Sequence, residues 1–172
     1  VPQQQDFLSI ILPYLSICLL GLSAYWLIQK EEQIRFWISI AIIVRVILVF
    51  AFPNLSDDVY RFVWDGHLLN AGINPFDHLP SYYIENQTPI AGINKALFEQ
   101  LNSPEYFTIY PPVAQLTFAL ITWLFPSSLY GAAIVVKLFL LAFEIGNIVL
   151  ITRLLQHFQL PAKNVLLYAL HP

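Results

Sequence analysis

The chain has 172 residues, of which 58% are hydrophobic, 15% aromatic and only 11% charged, with mean hydropathy +0.64. Soluble domains carry roughly a quarter charged residues, so these ionic groups are too few to cover a globular surface, and the apolar content excludes a disordered tail. Net charge is −3 with eight scattered Lys and Arg, which excludes a basic face for nucleic acid, and the single Cys18 can form no internal disulfide.

These numbers point to a polytopic membrane protein. The chain opens on Val1-Pro2 and stops at His171-Pro172, just after a new apolar run at 165–170. We therefore expect a segment of a longer membrane protein, cut at both ends. Residues 7–28 carry no charge and, as a helix rising about 1.5 Å per residue, can cross a hydrocarbon layer of roughly 30 Å. Pro13 and Gly21 are tolerated in such a helix. The run has no basic leader and no small-residue cleavage site, so it does not read as a signal peptide.

A short polar loop, 29–35, leads to a second span at 36–53, interrupted only by Arg45. Residues 113–125 form a third apolar run, short for a span. Residues 130–152 form a fourth, with Lys137 and Glu144 inside it, and a fifth begins near Asn164. Trp26 and Trp37 flank the first loop as interface anchors, with Trp123 and Tyr130 expected on the same side. The positive-inside rule would make that side cytoplasmic through Lys30 and Arg35. Arg153 and Lys163 fall on the opposite side by parity, so the count is tied at two against two.

The long polar segment, 54–111, has structure signals of its own. Ser56 is a suitable N-cap, with Asp57 and Asp58 in the first turn, where the helix dipole favours carboxylates. Val59, Phe62, Val63 and Leu69 would form an apolar face, and Asp57, Arg61 and Asp65 a polar stripe opposite. Gly72 and Pro75 would end this helix, which we expect to lie along the membrane surface. A second short helix is expected over 90–102, and Pro111-Pro112 resets the chain before the third run. The expected fold is thus all-α, a polytopic transmembrane helical bundle with a long extracytoplasmic loop carrying short surface helices.

Adjacent Asp57 and Asp58 are the strongest chemical signal. Two carboxylates just past a span, at a helix N-terminus, suit proton transfer; they equally suit capping. Around them, residues 53–80 read PNLSDDVYRFVWDGHLLNAGINPFDHLP and 109–116 read IYPPVAQL. This pattern resembles the first extracytoplasmic loop of the membrane-embedded C-type glycosyltransferases, the GT-C superfamily. It is most like bacterial polyprenyl-phosphate-mannose-dependent mannosyltransferases, with their L-S-D-D-x-Y-R-Y-x-W-D-G, A-G-x-N-P-Y and T-x-Y-P-P-x-x-Q runs. The matching residues here are 55–66, 71–76 and 108–115. Phe62 and Phe76 replace Tyr, and His67 stands where Arg is frequent, which weakens any assignment of phosphate binding there. The stretch LLYALHP at 166–172 is similar to the family's Y-A-x-N-P, with His171 for Asn.

The resemblance implies an enzyme of the outer face of a bacterial inner membrane. It would move a sugar, by analogy mannose, from a polyprenyl-phosphate donor to a hydroxyl of a glycan or lipid acceptor, with inversion. Asp57 or Asp58 would be the general base, with Asp57 slightly preferred. Some members use a divalent cation at this carboxylate pair, which leaves a cation open; no other cofactor is implied. His67, His78 and Asp77 have no tight metal-ligand spacing.

Other residues carry two readings each. Arg61 and Asp65 could be an exposed helical ion pair or could position donor and acceptor. Trp64 and Tyr60 could anchor the helix at the interface or stack on a sugar, and Tyr110 could be a packing residue or line the cavity. Arg45 lies about 12 Å inside its span by helical rise, and Lys137 and Glu144 share a helix face. These charges either pair within the bundle, or Arg45 and Lys137 meet a lipid phosphate. The competing classes are a transporter or channel lined by Arg45, Lys137 and Glu144, and a non-catalytic scaffold that docks through the loop helix.

Overall fold

The computed structural model describes residues 6–53 and 56–171. Val1-Pro2, Leu55 at the head of the L-S-D-D run, and Pro172 lie outside the described residues. In chain order the elements are α1 (Phe7–Leu27), α2 (Glu31–Val49), α3 (Asp58–Asn70), α4 (Pro80–Glu85), α5 (Lys95–Phe98), α6 (Pro112–Leu124), α7 (Leu129–His157) and α8 (Val165–Ala169), with a 3-10 turn at Ala162–Asn164. Among the described residues there is no strand. The chain forms two compact units. The first runs up to Ala51 and resumes at Leu138; the second is Phe52–Lys137.

In the first unit, α1 and α7 are long and apolar enough to cross a membrane, with mean hydropathies of 2.1 and 2.3. Their most apolar windows are 0% and 6% buried, so neither is the core helix of a soluble domain. α2 starts five residues before the expected span. Glu31 and Glu32 sit on its positive dipole end, the Gln33 side chain accepts from the Lys30 N–H at 3.2 Å, and Arg35 pairs with Glu31 at 2.6 Å. The polar loop therefore shrinks to residues 28–30. The core gathers Ile28, Ile34, Ala41, Ile148, Val165, Leu166 and Ala169 in one cluster.

This unit also shows where the intramembrane charges go. The Arg45 guanidinium donates to the carbonyls of Ala169 (2.8 Å) and His171 (3.1 Å) and stands 3.7 Å from the Glu144 carboxylate. Glu144 in turn accepts from the Tyr168 hydroxyl at 3.0 Å. Pairing within the first unit is therefore the observed use of Arg45 and Glu144.

The second unit is built on α3, and its polarity differs from the sequence expectation. α3 begins at Asp58, with Asp57 at the N-cap position; Ser56, one residue earlier, accepts the Asp58 N–H through its hydroxyl at 3.2 Å. The far end is as expected. Gly72, at φ +75°, donates to Leu69 O and Ile73 to Leu68 O, both at 2.9 Å, which closes the last turn in the paired pattern that a left-handed residue permits. The helix is not a surface helix, however. Val59, Arg61, Val63, Trp64, Asp65, Gly66, His67 and Leu68 are all buried.

One side of α3 packs on α6 through Val63, Phe118 and Ile121, and another holds Trp64 and Leu68 against Tyr83, Ile90 and Leu101. The crossing with α6 is close: a Cβ on Gly66 would lie 2.1 Å from the Phe118 carbonyl oxygen. Pro80, in the first turn of α4, starts a helix where none was expected. The helix expected over 90–102 is only the single turn of α5. Gly92, at φ +85°, breaks the run ahead of it, and the Asn94 side chain caps it at Leu97 N (2.9 Å).

Candidate active site

The acid pair sits at the N-terminus of α3, inside the second unit. Asp57 is exposed and its carboxylate makes no capping bond. Asp58 is half-buried and held. Its carboxylate accepts from Asn102 Nδ2 at 2.9 Å and is hydrogen-bonded to the Tyr110 hydroxyl. Burial, reinforced by the Asp58 charge, pushes the Tyr110 hydroxyl up to about 12, so it keeps its proton and acts as a donor to Asp58. The Tyr110 ring is boxed by Phe62 and Phe118, with centroids 5.1 and 5.2 Å away.

Beneath the pair lies a buried polar network. Arg61 is 3% exposed and Asp65 0%, so they are an ion pair as read from their spacing but not a solvated one. Arg61 Nε donates to Asp65 Oδ1 at 2.8 Å, and its Nη1 donates to the carbonyls of Ser103 (3.2 Å) and Tyr106 (3.0 Å). The other Asp65 oxygen accepts from Gln115 Nε2 at 3.0 Å, and the same nitrogen donates to Thr108 Oγ1 at 2.9 Å. A charge pair this deep is stable only when its remaining valences are met, and here backbone carbonyls and an amide meet them. The network ties the 103–110 strap onto α3. Between strap and helix opens a cleft of about 340 Å³, lined by Asp58, Arg61, Asn102, Tyr106, Thr108 and Tyr110.

The expected site residues divide accordingly. Asp58, Arg61 and Tyr110 come together at the cleft, while Asp57 precedes Asp58 at the N-cap position of α3 and is not among the lining residues. Asp65 supports the cleft from below. Trp64 is 0% exposed and packs on Tyr83 and Phe98, so it neither anchors at an interface nor presents a face to a sugar; it is core. Arg45 belongs to the first unit, and Lys137 is half-buried on α7 and is not among the cleft-lining residues. Asn102 is a cleft residue that the sequence did not single out. Thr108 and Gln115, seven apart in the T-x-Y-P-P-x-x-Q run, owe their spacing to the hydrogen bond between them.

His67 and His78 are engaged separately: His78 stacks on Tyr82 with centroids 3.9 Å apart, while the His67 ring bonds the Pro126 carbonyl. Among the described residues no group of three His, Cys, Asp or Glu converges. Burial lowers the proton affinity of His67, partly offset by the Pro126 carbonyl. Its folded form is thus harder to protonate than the unfolded one. Stability is complete above the unfolded value of about 6.5 and falls as pH drops through it. Thermal unfolding should shift to lower temperature between pH 7.5 and 5.5, and His67→Gln should flatten that dependence.

Similarity to known proteins agrees with this enzymatic reading. A family described as alpha-(1->6)-mannopyranosyltransferase, N-terminal domain, matches residues 2–172. The chain belongs to that family, and its activity is glycosyl transfer. No curated protein and no solved structure shows a significant match.

Proposed function

We propose that this member of the mannosyltransferase family transfers mannose from a polyprenyl-phosphate carrier to the primary 6-hydroxyl of a mannoside acceptor, with Asp57 as general base. The reading is carried by one observation: of two neighbouring carboxylates at the N-terminus of α3, Asp58 is committed to Asn102 and Tyr110, while Asp57 is exposed and makes no side-chain bond among the described residues. Asp57 takes the proton of the acceptor hydroxyl as that oxygen attacks the anomeric carbon. The carbon–oxygen bond to phosphate breaks, and polyprenyl phosphate leaves with the electron pair. Inversion with an α product requires a β-linked donor. Tyr106, Phe107 and Ile109 line the cleft with side chains 70%, 53% and 86% exposed, a fitting contact for a lipid chain beside its phosphate. Asp58 and Arg61 position the strap and leave transfer to Asp57.

The first unit supports an orientation for this site. Tyr25, near the end of α1, donates to Asn164 Oδ1 at 3.0 Å, and Lys163 sits 4.9 Å from its ring. α1 and α7 therefore run toward the same end of the unit, and α2 runs away from it. Lys30, Arg35, Arg153 and Lys163 then share one end, and the tie in the charge count disappears if α6 is not a crossing. At 13 residues α6 is about 20 Å long, too short to span. Its exposed stripe of Val113, Leu116, Leu120 and Leu124 suits the lipid boundary instead. The basic end is cytoplasmic, and residues 52–137 face outward from a multi-pass inner-membrane protein.

Two experiments test these readings. Membranes containing the full-length protein should form α(1→6)-mannoside from polyprenyl-phosphate-mannose; product from a nucleotide-mannose donor alone would overturn the donor assignment. In a Cys18→Ser background, Glu99→Cys and Ser127→Cys should both react with an impermeant maleimide on intact cells. Ser127→Cys reacting only after permeabilisation would make α6 a span.

A further inference from the structure

α3 turns a second face to an open groove. Tyr60, Val63, His67 and Asn70 recur along it at helical spacing. Two adjoining hollows, of about 250 and 480 Å³, share His67, Gly92, Pro126 and Ser127 as common lining. The sizes fall in or near the range of small-ligand sites. The chemistry of the walls is selective. No Asp, Glu, Lys or Arg lines either hollow, and burial disfavours the charged form of His67, so the groove suits a neutral ligand better than a phosphate or a carboxylate.

What the walls offer is amides, hydroxyls and rings. Asn94 spends its carbonyl oxygen on Leu97 N, which leaves its amide hydrogens to donate. Asn70 spends its amide hydrogens on Ala119 O and Thr122 Oγ1, which leaves its carbonyl oxygen to accept. Ser128 accepts from Gly131 N and keeps its hydroxyl hydrogen. Beside these groups stand Tyr60, Phe125 at 41% exposure and Trp123 at 71%. A pyranose has an apolar C–H face and a rim of neutral hydroxyls that both donate and accept, and this groove complements both.

Gly92 shows that the wall is shaped closely here. Any Cβ at this residue would fall 2.1 Å from the His67 ring, and its φ of +85° excludes one on backbone grounds as well.

We propose that this groove is a distal carbohydrate subsite, which holds the interior sugars of an oligomannoside acceptor while its growing end reaches the acid pair at the N-terminus of α3. The proposal rests on the mannosyl-transfer reading for the identity of the sugar. It adds a consequence that reading lacks: preference for acceptors several sugars long over a single sugar.

The test uses the full-length protein in detergent or nanodiscs and an α(1→6)-linked mannotetraose as probe, with maltotetraose as control. Trp123→Ala and Gln100→Leu remove a ring and an amide at the groove without touching the cleft. Each should weaken mannotetraose binding about tenfold, measured by calorimetry, and raise KM for that acceptor with kcat and single-sugar transfer unchanged. Asp57→Asn should bind the probe as well as the parent does while failing to extend it. Equal binding by parent and groove variants, binding of maltotetraose as tight as mannotetraose, or no dependence of KM on acceptor length each overturns the subsite. Loss of the mannosyl-transfer reading would appear separately, as no mannoside product from polyprenyl-phosphate-mannose with the parent protein on either acceptor.

Discussion

Asp57→Asn in the full-length protein is expected to lower mannose transfer by about 10²–10⁴-fold, the range lost when a general base is removed. The substitution keeps shape and hydrogen-bonding capacity but cannot take a proton. The carboxylate is exposed and makes no capping bond, so the fold has little reason to respond. KM for donor and acceptor should stay within a few fold while kcat falls.

Asp58→Asn should behave differently. It loses the anion that receives Tyr110 and Asn102, so the strap loosens and KM rises along with a fall in kcat. Steady-state kinetics on both variants, with melting temperature as the check on folding, separates the two roles. If Asp58→Asn shows the pure kcat loss and Asp57→Asn retains transfer, the assignment of the base is reversed.

The second large effect is structural. Gly66→Ala would drive a methyl to 2.1 Å from the Phe118 carbonyl oxygen and 2.7 Å from Thr122 Oγ1, contacts no real Cβ makes. The obstacle is helical backbone, not a pliable side chain, so α3 and α6 must separate. Overpacking costs about 1–3 kcal/mol where neighbours can give, and this position belongs at or above the upper end. The variant should lose several degrees of melting temperature and most of its transfer activity, because the buried network spans the same two helices. Gly146→Ala supplies the control. Nothing lies within 4 Å of a Cβ there, and alanine is the better helix former, so stability should hold or rise slightly.

The two long apolar runs were legible as helices because helices able to cross a membrane announce themselves by composition, and α3 declared its far end through Gly72, while its N-cap is Asp57, one residue after the expected Ser56. What could not be read was which side of α3 faces water. Arg61 and Asp65, four apart, have the spacing of a solvated pair, and only distant partners bury them: Ser103 and Tyr106 lie 42 and 45 residues on, and Gln115 lies 50 beyond Asp65. Trp64 was misread for the same reason, since its walls Tyr83 and Phe98 come from α4 and α5. The acid pair was found by its motif, but the difference between its members was not. That depends on Asn102 and Tyr110, which reach Asp58 only in the fold.

The long sequence separation across the polar network also sets an order of events during synthesis. When α3 leaves the ribosome, the carbonyls that hold Arg61 and the amide that holds Asp65 have not yet been made. Both charges must stay hydrated until residues 103–115 emerge. The cleft therefore cannot form before α6 docks, and completing the core of the second unit and completing the cleft are one event. A nascent chain halted short of Gln115 would carry both aspartates and no formed cleft.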